Sequence, residues 1–124
     1  MSRLLKLTAI IETATGLGLM AVPSVVVRLL LDSALDTSAA VMLGRVAGAA
    51  LLALGVACWL ARDDTQSRAT RGLVVAMLMY NIPATAVLAF AGIGLGLHGV
   101  ALWPAVVLHA AMGAWCGACL RRSS

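Results

Sequence analysis

Charge is scarce in this sequence. Asp, Glu, Lys and Arg make up 11% of its 124 residues, where a soluble chain carries roughly 25%. Residues of the AVILMFWYC set make up 62%. A soluble domain this short cannot hide that much apolar surface, and a disordered chain would be polar. Cysteine is sparse and odd in number, at three, which does not suggest the paired framework of a small secreted protein. No stretch alternates apolar and polar residues as a membrane β-strand does. Walker, G-x-S-x-G and H-E-x-x-H signatures are missing. Gly92, Gly94, Gly96 and Gly99 form a bend with no amphipathic helix after them, so they are not a dinucleotide loop. The balance leans away from an enzyme, and no catalytic residue is assigned.

What remains is continuous apolar sequence with a mean hydropathy of +1.02. A helix needs about 20 apolar residues to cross the hydrocarbon, and four runs qualify: 4–27, 39–61, 72–94 and 100–120. The expected fold is all-α: a polytopic integral membrane protein of four transmembrane helices, forming one compact helical bundle over residues 1–124. Asp36, Thr37 and Ser38 offer N-cap oxygens to the second span, and Pro104 suits a first helical turn. The first run is read as a span and not as a signal peptide. Glu12 interrupts it, it is long, and Met20-Ala21-Val22-Pro23 is no A-x-A cleavage site.

The net charge of +4 comes from basic residues at the ends of apolar runs, where they anchor spans, and not from one face that would hold nucleic acid. Arg3, Lys6, Arg62, Arg68, Arg71, Arg121 and Arg122 fall on one side of a four-span chain, against Arg28 on the other. That seven-to-one asymmetry predicts N-in/C-in topology in the cell inner (plasma) membrane, with both termini cytoplasmic.

Ionisable and polar groups inside spans are costly, so each is a candidate for function. Glu12 shares a narrow helical stripe with Thr8 and Thr15. It is either a carboxyl that binds a proton or cation, with hydroxyls as relay, or a group that locks helix packing. Arg45 in the second span either snorkels outward or pairs inward. Beside it, Gly44, Gly48 and Gly55 make a small-residue stripe that favours close helix packing. In the third span Tyr80 and Asn81 precede Pro83, which lacks the N–H that would bond the Met79 carbonyl and should kink the helix. With Thr85 one turn beyond, they either floor a polar cavity at the depth of Glu12 or serve as packing glue. In the fourth span His109, Met112, Cys116 and Cys119 fall within about an 80° arc at helical spacing. Imidazole, thioether and thiols would suit Cu(I). Equally, Cys and Met are ordinary apolar residues in lipid. A haem b held by His109 would need a second chain, because His98 falls in the outer bend. No cofactor is expected as the first choice.

Four short spans with Glu12 in the first make the chain similar to the small multidrug-resistance transporters. The charged 62–71 loop, Arg45 and the lopsided charge depart from them, and family membership is not implied. Three functions stay open. The first is a proton- or cation-coupled transporter or channel-like oligomer, with Glu12, Tyr80, Asn81 and His109 around a midplane cavity. The second is an accessory or structural subunit of a membrane complex. The third is a membrane enzyme or a soft-metal or haem-handling protein using His109 and Cys116/Cys119. The expected partners are the lipid bilayer and either further copies of the chain or other membrane subunits.

Overall fold

A computed structural model describes residues 1–64 and 66–122; Thr65, Ser123 and Ser124, parts of the expected 1–124 domain, lie outside the described residues. Five helices follow in order: α1 (Ser2–Ala21), α2 (Pro23–Leu31), α3 (Ser38–Ala61), α4 (Arg68–Ile93) and α5 (Leu102–Arg122). There is no strand among the described residues. Four helices, α1, α3, α4 and α5, are long and apolar enough to cross a membrane.

The first apolar run does not form the single span expected over 4–27. It divides at Val22, where α1 ends, and Pro23 opens the nine-residue α2 at its first position. A proline there loses no intrahelical hydrogen bond, because the first N–H groups of a helix are unpaired anyway. Apolarity continues through Val27, but the backbone turns. α2 stops at Asp32, which takes up the left-handed conformation with φ 50°. The N-cap of α3 is Thr37, whose hydroxyl accepts from the Ala40 N–H at 3.1 Å. Ser67 does the same for α4, accepting from Thr70 N–H at 3.2 Å.

The long helices pack as two pairs, α1 with α3 and α4 with α5. Within the first pair the backbones touch. A Cβ built on Gly48 would lie 2.7 Å from the Gly16 carbonyl oxygen, and one on Gly16 would lie 2.6 Å from the Leu52 nitrogen. Only glycine allows this approach, which is how apolar helices associate without a hydrophobic driving force between them. The pairs meet at one end of the molecule. There Leu4, Leu5 and Ala9 of α1, Cys58 of α3, Val74 and Met77 of α4, and Met112 and Cys116 of α5 form one buried cluster. Met1, Ala61, Cys119 and Leu120 pack against it, so this is the end that carries both termini. Large apolar side chains such as Leu43, Leu60, Phe90 and Ile93 are exposed on the flanks, a surface suited to lipid.

At the opposite end α2 lies against the turn before α5. The Ala101 N–H donates to the Leu29 carbonyl at 2.9 Å. Gly99 is buried there, and a Cβ on it would run into the Leu30 backbone. The pairs are thus held together at both ends and separated in between. The expected compact bundle is two helix pairs around a space.

Candidate functional site

That space is a half-open cavity of about 610 Å³ lined by all five helices. Its polar lining is Glu12 and Thr15 from α1, Tyr80 from α4 and His109 from α5. Ten, twelve and thirteen residues separate Glu12, Tyr80 and His109 from Ser2, Arg68 and Arg122. Counted from the termini end at about 1.5 Å per residue, the three lie within ~5 Å of one level, near mid-helix. Above them, away from the termini, the walls are apolar: Leu19, Val26, Leu29, Leu30, Val87 and Leu88. Among the described residues, no Lys or Arg lines the cavity.

Glu12 is 4% exposed, and it stands on the side of α1 that faces the other helix pair. Tyr80 and His109 meet edge to face, with ring centroids 5.5 Å apart and planes at 83°. This is a favourable arrangement for two rings, the edge of one meeting the π face of the other.

Asn81 sits one layer behind, buried at 1% exposure. Its Nδ2 donates to the Met77 carbonyl at 2.8 Å, and its Oδ1 lies 2.9 Å from His109 Nδ1. The first contact fixes the second. A carbonyl only accepts, so the amide nitrogen faces Met77 and the amide oxygen faces the imidazole. That oxygen has no hydrogen to give, so Nδ1 of His109 carries one. In the neutral ring Nε2 then holds a lone pair, directed away from Asn81. Thr85 donates its hydroxyl to the Asn81 carbonyl at 2.8 Å. The polar groups around Pro83 therefore serve the carbonyls of Met77 and Asn81, not that of Met79 as the position of the proline suggests. The helix runs unbroken from Arg68 to Ile93.

The remaining candidates lie elsewhere. Thr8 is one turn below Glu12, 1% exposed, and its hydroxyl has no hydrogen-bond partner among the described residues. It is not part of the cavity lining. Arg45 is exposed on α3, away from the cavity and in no ion pair among the described residues, so it does not reach Glu12. The α5 stripe is split. His109 faces the cavity, while Met112 and Cys116 belong to the buried cluster with Cys58 and Met77, and Cys119 packs at its rim. No three His, Cys, Asp or Glu side chains group closely enough to hold a metal ion among the described residues. His98 is exposed in the turn before α5.

Two parts of the site escaped the sequence. One is the α2 wall, Val26, Leu29 and Leu30, whose signal was Pro23 at a helix start. The other is the pairing of Asn81 with His109, for which spacing along either helix gives no sign.

The chain matches no known family, and no curated protein or solved structure matches it either.

Proposed function

We propose that this protein is a small membrane transporter or channel-like carrier in which Glu12 exchanges a proton for a cationic substrate. One observation carries the proposal: Glu12, Thr15, Tyr80 and His109, from three helices and both helix pairs, line one cavity near mid-helix. Ionisable groups at such depth are costly, which makes each a candidate for function, and here they share a space large enough for a small molecule. A carboxyl that alternates between protonated and ionised states can release a proton as it takes up a cation. The two helix pairs, joined at their ends and apart in the middle, can rock about those ends to expose the site to each side in turn. All four polar groups come from one chain, so a homo-oligomer is compatible with the mechanism but not required by it. In the membrane the chain is oriented N-in/C-in by its basic termini and 62–71 loop, with the cavity's apolar end toward the outside.

The test is charge movement in proteoliposomes after a rapid pH jump, without added substrate. The parent should give a transient current as Glu12 gains or loses its proton. Glu12→Gln keeps shape and hydrogen bonding but cannot titrate, and it should abolish the transient while inserting and folding normally. An undiminished transient in Glu12→Gln would sink the proposal.

A further inference from the structure

We infer that the cavity selects lipophilic amines that carry N–H donors and discriminates against quaternary ammonium ions of the same charge and similar size. The inference rests on the reading of the cavity as a substrate site and names the substrate class.

The polar end of the cavity is rich in acceptors. The Glu12 carboxylate offers two oxygens and no hydrogen. His109 lines the space, and with Nδ1–H committed to Asn81 the only acceptor its neutral ring has left is Nε2. Thr15 and Tyr80 hydroxyls can accept as well as donate. Among the described residues no cationic side chain lines the space, so the positive charge that the carboxylate calls for must come with the ligand. A protonated primary amine supplies that charge together with three N–H donors, which match carboxylate and imidazole acceptors at one level of the cavity. A trimethylated ammonium supplies the same charge without a donor, and would give neither the carboxylate nor Nε2 of His109 a hydrogen bond. Sites built around hydrogen bonds reject analogues that lack the matching group far more strongly than apolar pockets reject a change of size.

The body of the ligand follows from the other end. Leu19, Val26, Leu30 and Leu88 make that part of the cavity apolar, and a hydrocarbon or aryl group would occupy it beneath α2. Asn81 is the positioning residue. Without its amide oxygen on Nδ1, the imidazole is free to take the other tautomer and present N–H, not a lone pair, to the ligand.

The test uses protein in lipid nanodiscs, with 4-phenylbutylammonium and its N,N,N-trimethyl counterpart as probes, and calorimetric binding corrected against empty nanodiscs. The parent should bind the primary amine at least tenfold more tightly than the quaternary ion. His109→Phe and Asn81→Leu should bring the ratio towards one by weakening the primary amine alone. Equal affinities in the parent would overturn the inference, and so would an absence of binding by both probes; neither comparison depends on a variant that folds. The pH-jump transient and its loss in Glu12→Gln are read separately. A parent that shows the transient but no amine preference refutes the ligand class and leaves the transporter proposal intact.

Discussion

Thr8 and Asn81 are equally buried, yet only one of them has partners. Asn81 bonds the Met77 carbonyl and His109, whereas the Thr8 hydroxyl bonds nothing among the described residues. An unpaired buried hydroxyl costs free energy, while removal of one member of a bonded set leaves the others unsatisfied. Thr8→Val should therefore leave the unfolding temperature in detergent unchanged or raise it. Asn81→Leu should lower stability by about 1–2 kcal/mol, seen as a lower unfolding temperature. A Thr8→Val protein less stable than Asn81→Leu would contradict this assignment. Glu12 and His109 were legible in the sequence because an ionisable group stands out within an apolar run. Their neighbours were less so. Arg45 stood out for the same reason and lies away from the cavity, since composition reports depth along a helix but not which side of it faces a partner. The Asn81–His109 bond depends on how α4 and α5 are rotated against each other, which spacing within one helix does not encode.

Between elements, the α1–α3 contact depends on missing side chains. Gly48→Val would force atoms into the Gly16 backbone, and the pair should separate or fail to form. Gly72, also in a long helix, has only open space within 4 Å of where a Cβ would stand, and Gly72→Ala should be neutral or stabilise by up to about 1 kcal/mol through helix propensity. Unfolding of the two variants side by side in detergent checks the contrast, and equal stabilities would remove the close-packing account. Gly99→Val should likewise unseat α2 from the turn before α5, detected as faster hydrogen exchange at the Ala101 N–H that bonds the Leu29 carbonyl. Four of the five helices were legible from apolar length alone. The division of 4–27 into α1 and α2 was not, because hydropathy is blind to a turn made of apolar residues. Pro23 was the local cue: it favours a helix start as strongly as it opposes a helix interior.

For the whole molecule, the fold brings the start of α1, the end of α3, the start of α4 and the end of α5 to one end, as four long helices running alternately up and down require. The basic residues Arg3, Lys6, Arg62, Arg68, Arg71, Arg121 and Arg122 all belong to that end, and Arg28 to the other. Reporter fusions after Arg122 and within 32–36 should report opposite sides, with the former cytoplasmic. The cavity is a property of this scale, since no single helix contains it, and its size could not be summed from residues. Its claim to function is that Glu12 is reachable through it. The most direct measurement is labelling of Glu12 by a hydrophobic carbodiimide, located by mass spectrometry, in the parent and in two tryptophan variants. Ala84 lines the cavity, while Ala86 on the same helix is exposed and does not. Glu12 should be labelled in the parent and in Ala86→Trp, and labelling should be lost in Ala84→Trp, where the indole fills the space. Labelling at the parent's rate in Ala84→Trp, or none in the parent, would contradict a functional carboxyl reached through the cavity.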